Sequence, residues 1–172
     1  MIRTRRLVLR PAQMDDFEAL HEIFADPEVM RYWDRPPHAP EDTRNFLRGL
    51  IDGDPATQLE LIVERDDRVV GRVGMWRLAE IGYLFHRDVW GQGIGSEAVG
   101  ALVAEVFARF PEVDEVTAEI DPRNHGSDRL LHKLGFHVTG EAERTLELNG
   151  EWCDSRYFAL PRAVFEDRKT QG

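Results

Sequence analysis

The stretch Trp90-Gly91-Gln92-Gly93-Ile94-Gly95-Ser96-Glu97-Ala98 constrains this chain most, because it joins a strand-like run, Ile81 to Phe85, to a long helical pattern through three alternating glycines. Glycines at such a junction admit positive φ and let backbone approach a ligand closely, so successive N–H groups can converge on one anion. The helix beginning near Ile94 adds its unpaired first-turn N–H groups and positive dipole end, which suit a pyrophosphate. Spacing separates the kinds of phosphate loop. A P-loop needs Gly-Lys-Ser/Thr at the helix start, and Gly95-Ser96-Glu97 offers no lysine. A dinucleotide fingerprint needs a third glycine where Ser96 stands, within a βαβ unit followed by an acidic ribose anchor, and neither is visible. An ordinary glycine-rich loop stays open as the plain alternative.

The rest of the chain supplies the elements around this junction. Arg6 to Arg10 alternates as a first strand with Leu7 and Leu9 inward, and Asp15-Asp16 open a helix carrying Phe17, Leu20, Ile23 and Phe24 at helical spacing. Tyr32, Trp33 and Asp34 then precede Pro36, Pro37 and Pro40, which forbid regular structure, so this segment is expected to lie over a cleft. Its aromatic residues either line a substrate pocket or anchor the loop to the core. A second helix is predicted over Glu41 to Ile51. Gln58 to Glu64, Arg68 to Trp76 and Ala79 to Phe85 are strand-like, the first two joined by the hairpin chemistry of Arg65-Asp66-Asp67. They imply an antiparallel meander rather than a doubly wound parallel sheet. A largely buried helix from Ile94 to Phe110, a strand Val116 to Ile120, a short helix Gly126 to Lys133 and two strands, His137 to Leu148 and Trp152 to Leu160, follow. The last two flank the hairpin signal Asn149-Gly150. One domain over 1–164 is expected, with a frayed polar tail from Phe165 to Gly172.

Length and charge narrow the function classes. With 172 residues, 42% hydrophobic, the chain can bury a sizeable core as one domain. A net charge of −10 argues against a nucleic-acid footprint; the acidic surface either attracts cationic substrates or serves solubility. Cys153 is the sole cysteine, which excludes an intramolecular disulfide and a thiolate zinc cluster and fits a reducing compartment. No signal peptide or apolar membrane-length run is evident, so a cytoplasmic protein without membrane contact is expected.

A second motif carries a family resemblance. Asn124-His125-Gly126-Ser127 followed by Leu130-Leu131-His132-Lys133-Leu134-Gly135-Phe136 resembles the second signature of the GNAT N-acetyltransferases, and the glycine loop resembles their coenzyme A pyrophosphate loop. Trp90 stands where many members carry Gln or Arg. The runs "RLVLRP…DPEVMRYW" and "NGEWCDSRYFAL" are similar to the branch that acetylates ribosomal-protein N termini, which commonly has Trp-Gly-(Lys/Gln)-Gly at the loop. The resemblance covers most of the chain. It implies a mixed α/β fold with a mostly antiparallel sheet of about seven strands, splayed in the middle between Ile81–Phe85 and Val116–Ile120, with helices on both faces. It further implies an acetyl-CoA-dependent N-acetyltransferase working by direct attack in a ternary complex. On this reading Leu84, Phe85 and His86 pair with the pantetheine arm. Gln92, Gly93, Ile94, Gly95 and Ser96 hold the pyrophosphate, and Asn124 and Ser127 approach the sulfur. Lys133 either approaches the adenosine phosphate or is a solvated helix-end lysine.

Acyl transfer to an amine needs a neutral amine, oxyanion stabilisation and a proton for the departing thiolate. Many members use a tyrosine as the acid, but its position here holds Leu131. Ser127 is the candidate acid, or else a helix cap. Glu80, Glu147 and Asp34 are candidate bases, or else solvent-facing carboxylates, and Tyr32, Trp33 and Asp34 are the expected acceptor-binding residues. Tyr157 matches a branch position but suits packing. His125, His132 and His137 do not converge on a metal pattern, so no metal is expected. The expected acceptor is a primary amine, in the first place the N terminus of a ribosomal protein. The rivals are a small-molecule acetyltransferase, acting on an antibiotic, polyamine or amino acid, and a CoA-sensing module without turnover. Exposed strand edges leave monomer and homodimer open.

Overall fold

The strand-like runs pair as their alternation requires. A computed structural model describes residues 1–77, 79–148 and 150–170. It contains β1 (Ile2–Arg3), β2 (Val8–Arg10), α1 (Phe17–Phe24), α2 (Pro40–Asp52), β3 (Leu59–Arg65), β4 (Arg68–Arg77), β5 (Glu80–Phe85), α3 (Ile94–Arg109), β6 (Glu115–Ile120), α4 (His125–Leu134), β7 (His137–Leu148), β8 (Glu151–Pro161) and α5 (Arg162–Thr170). One eight-stranded sheet has the order β1-β2-β3-β4-β5-β6-β8-β7. The strand beyond the expected seven is β1, two residues long and too short for any periodicity to announce.

Strands β3, β4 and β5 form the antiparallel meander. Asp66 (φ 52°) and Asp67 (φ 61°) turn the first hairpin in the left-handed region, the conformation whose twist matches the flanking strands. The β7–β8 hairpin closes at Leu148↔Glu151; Gly150 has φ 81°, and Asn149 lies outside the described residues.

Residues on opposite pleats of the sheet feed two cores. Leu61 and Val63 of β3 and Phe85 of β5 join Ile94, Ala98, Leu102 and Val106 of α3 and Leu131 of α4. Ile62 and Leu84 face the other way, onto Leu20, Ile23 and Phe24 of α1 and Leu47 of α2. Helices thus cover both faces.

Between β5 and β6 the sheet opens. These strands run parallel and share one register pair, Glu80↔Thr117, with Thr117 N–H donating to Ala79 O at 3.0 Å. Beyond that point β5 keeps an unpaired edge.

The expectation of a frayed tail is corrected through Thr170. Phe165 of α5 packs its ring 5.0 Å from Phe107 of α3, and Arg168 Nη2 donates to Lys133 O at 3.0 Å. At the start of α5 the Arg162 guanidinium donates to Phe107 O (2.8 Å), Phe110 O (2.9 Å) and Val113 O (2.8 Å), supplying partners around the C-terminal end of α3. Among the described residues no helix is long and apolar enough to cross a membrane.

Candidate functional site

The glycine junction folds into a cradle. Gly91 (φ 72°) and Gly93 (φ 74°) both take the left-handed conformation, and Gly93 is the N-cap of α3 with no side-chain cap. The first-turn N–H groups of Ile94, Gly95 and Ser96 therefore have no intrahelical partner and point at the space in front of the helix. Gly95 serves differently. A Cβ there would meet Leu130 Cδ1 at 2.8 Å and Phe85 Cε2 at 3.3 Å, so this glycine lets α3 lie against α4 and β5. The loop is braced from outside. Arg6 bridges to Glu97 at 2.7 Å and donates to Gln92 O at 2.9 Å, and Arg65 Nη1 donates to Gln92 Oε1 at 2.7 Å. Burial opposes ionisation of Glu97, but hydrogen bonds from Thr4 and Arg6 outweigh it and hold the carboxyl below its usual range.

Between β5 and β6 lies a slit of about 70 Å³. Edge groups on β5 alternate. His86 N–H already donates to Val70 O at 2.9 Å, and Leu84, two residues away, turns to β4 with it. Of Leu84, Phe85 and His86, only Phe85 turns its backbone groups away from β4, toward the open edge of β5. Its carbonyl accepts from Trp90 Nε1 at 2.9 Å, which leaves its N–H, joined by the backbone groups of Tyr83. The His86 ring is engaged elsewhere, accepting from Asp88 N–H and lying 3.2 Å from Glu22.

On the far wall of the slit stands the start of α4. Asn124 Oδ1 caps the helix by accepting from Ser127 N–H at 3.1 Å, which leaves the Asn124 amide donors and the Ser127 hydroxyl at the opening. Facing them is Tyr83. Its ring is only partly buried, but its hydroxyl is sealed from solvent and makes no hydrogen bond of ordinary geometry. Burial pushes the phenol above its usual range, and the Ser127 side chain opposes that shift in part. A phenol thus lies beside Ser127 although the position expected for one, Leu131, is buried core.

The slit adjoins a cavity of about 530 Å³. Tyr32, Trp33, Ile81, Gly82, Glu119 and Ile120 line both spaces and so mark their junction. Trp33 is packed against the α1–α2 core and reaches within 3.3 Å of where a Cβ on Gly82 would be, so it lines the pocket and anchors the loop at once. Asp34 and Glu80 line the cavity too, each against an arginine: Asp34 on Arg35 at 2.9 Å and Glu80 on Arg77 at 2.6 Å. In the cavity wall Glu60 is buried against Arg72.

Glu147 is not brought to the site. It is exposed, and its neighbours Leu146 and Leu148 line the cavity instead, because the irregularity between Ala142 and Leu146 sets which pleat faces inward. Lys133, His125, His132 and His137 are exposed, and Tyr157 is half-buried away from both spaces. Cys153 lines the cavity with Arg123 Nη2 3.4 Å from its sulfur. Among the described residues no three His, Cys, Asp or Glu side chains form a metal-holding group. Two residues in the site went unnoticed in the sequence, Tyr83 and Glu119. Both sit on alternating strand runs, where a polar side chain reads as facing solvent; only the unpaired strand edge makes that side a site.

The arrangement is a glycine cradle with free helix-start N–H groups, a slit beside an unpaired strand edge, two neighbouring hydroxyls and an outer chamber with aromatic and acidic walls. The family model described as an acetyltransferase (GNAT) domain matches residues 6–137. The N-acetyltransferase p20 of Bacillus licheniformis is 30% identical over 167 residues, 91% of this chain and 93% of that protein. Spermidine N(1)-acetyltransferase of Escherichia coli is 25% identical over 173 residues, 95% of this chain and 91% of that protein. Among solved structures, the ribosomal L7/L12 α-N-protein acetyltransferase RimL in complex with coenzyme A superposes with a TM-score of 0.83 at 20% identity, covering 94% of this chain and 97% of that one.

Proposed function

The chain belongs to the GNAT acetyltransferase family, and on that premise we propose that its acceptor is a primary amine, in the first place the α-amine of a peptide. It is an acetyl-CoA-dependent N-acetyltransferase. The observation that carries the reading is the junction itself: a thioester held in the slit is reachable from the outer cavity past Gly82 and Glu119, so amine and thioester can meet without a covalent enzyme intermediate.

In this reading the cradle of Gln92, Gly93, Ile94, Gly95 and Ser96 holds the pyrophosphate, and Phe85 N–H with the backbone of Tyr83 pairs with the pantetheine arm. The neutral amine attacks the thioester carbon as the C–N bond forms. The C–S bond then breaks, the Ser127 hydroxyl passes its proton to the departing thiolate and regains one from water, and the amine loses one proton, which ends in water, so acetamide and thiol result and Ser127 is restored. Tyr83 is a positioning residue, acting through Ser127. An α-amine with pKa about 7.7–8.0 is neutral at pH 7 in roughly a tenth or more of molecules, against well under a thousandth for lysine near 10.4, so a modest base suffices for the former.

A second reading, a polyamine acceptor, is favoured by the acidic cavity wall and by the spermidine-acetylating relative. Thiol release is to be measured with a Ser- or Ala-initiated basic peptide, its N-terminally blocked lysine-containing counterpart, and spermidine. The free-N-terminal peptide should give the highest kcat/KM. Preference for spermidine selects the second reading, and no release with any amine sinks acetyl transfer.

A further inference from the structure

The amine must lose a proton at the junction, and the carboxylates around it are not equivalent. Glu80 and Asp34 line only the outer cavity, and each is held by a guanidinium. Asp121 likewise lies on Arg123 at 2.6 Å. An ion-paired carboxylate is a poor proton acceptor, because protonation forfeits its charge-assisted hydrogen bonds. Asp154 accepts from Arg144 N–H at 2.9 Å and lines the outer cavity alone. Glu119 differs on both counts. It lines slit and cavity together, and it makes no salt bridge among the described residues, with Arg77 acting on it only at longer range.

Its carboxylate is also fixed. Ser155, only 4% exposed, donates from Oγ to Glu119 Oε1, and Thr145 Oγ1 lies 2.6 Å from Ser155 Oγ and 3.2 Å from the Cys153 carbonyl. This arrangement uses one carboxylate oxygen and leaves the other as an acceptor.

Resting on the acetyl-transfer reading above, we propose that Glu119 is the general base that takes the proton from the acceptor amine, with Ser155 and Thr145 as its positioning residues. As nitrogen bonds to the acetyl carbon, one N–H proton passes to the free oxygen of Glu119. The carboxylic acid then releases it to water in the open cavity, and the carboxylate is restored for the next turnover.

The test uses the full chain with acetyl-CoA and the free-N-terminal peptide. Glu119→Gln keeps the shape and an oxygen for Ser155; it should lower kcat about 10²- to 10⁴-fold while acetyl-CoA binding, measured by calorimetry, stays within about twofold. Glu119→Ala should be slow and partly restored by added formate, which a structural defect would not be. Ser155→Ala should lower kcat by a smaller factor, without change in acetyl-CoA affinity and without response to formate. A wild-type kcat in Glu119→Gln, or its collapse in Glu80→Gln with Glu119→Gln intact, overturns the assignment while leaving acetyl transfer standing. Absence of turnover in the unaltered protein overturns both.

Discussion

Tyr83→Phe removes one oxygen from a place where the fold gives it no partner, so stability and turnover should move in opposite directions. The hydroxyl is buried and unbonded beside Ser127, at the mouth of the slit. A buried unsatisfied hydroxyl costs roughly 1–3 kcal/mol, and the nearby Ser127 rotor eases that, so a gain of about 1 kcal/mol is expected on its removal. The ring stays where it is, 6.1 Å from Phe85, and no cavity opens. For a domain of this size that gain is about 2–4 °C in Tm, within reach of calorimetric melts at neutral pH, where burial keeps the phenol protonated. If the hydroxyl supports Ser127 as the thiolate departs, one neutral hydrogen bond of about 0.5–1.5 kcal/mol is lost in the transition state and kcat falls by about two- to tenfold. A Tm lowered by 2 °C or more would mean that the hydroxyl is satisfied in the unliganded protein. An unchanged kcat would remove Tyr83 from the reaction.

The two cradle glycines should separate. Gly93→Val forces a β-branched residue to φ 74° at the start of α3 and, on the proposed reading of the cradle, should abolish measurable acetyl-CoA binding in calorimetric titrations. Gly95→Val drives a side chain into Leu130 and Phe85, and should lower Tm by an amount matching about 1–3 kcal/mol of overpacking; equal Tm in the two variants would contradict this division. His38, buried with Nε2 unpartnered, gives a pH dependence: burial first, then Arg35, hold its pKa below the ordinary 6.5. Its contribution to stability is complete above the unfolded value. As pH falls through that value the unfolded chain takes up a proton that the folded protein resists, and stability is lost until the folded imidazole also titrates. Melts between pH 7.5 and 5 should fall less steeply for His38→Leu, and parallel slopes would rule the imidazole out.

Much of the site was written locally. The strand, glycines and helix of the cradle are contiguous, as are the cap and helix from Asn124 to Gly135, so local spacing places these elements, and the family resemblance, not spacing, proposes their roles. What depends on distant pairing was hidden. The register irregularity in β7 turns Glu147 outward, and no local pattern announces it. Glu119 looks like any strand glutamate until β5 withdraws and the solvent side of β6 becomes a chamber wall. The last helix is too polar to declare itself. Its order comes from Phe165 meeting Phe107 and from Arg162 meeting the carbonyls near the end of α3, contacts that cross some fifty residues of chain.

The outer edge of β7 has a consequence for how copies of this protein meet. Among the described residues it is the open border of the sheet, twelve residues long, with no strand paired along its outer side. A border of that length is ordinarily a template for accretion, strand upon strand. Here the ladder is broken at Val138/Gly140 and again at Ala142/Leu146, and Glu141, Glu143 and Glu147 stand exposed along it. A second such edge would have to match both breaks and would bring Glu143 and Glu147 toward like charges. Glu147, turned outward, adds its charge to a border where charge opposes strand upon strand.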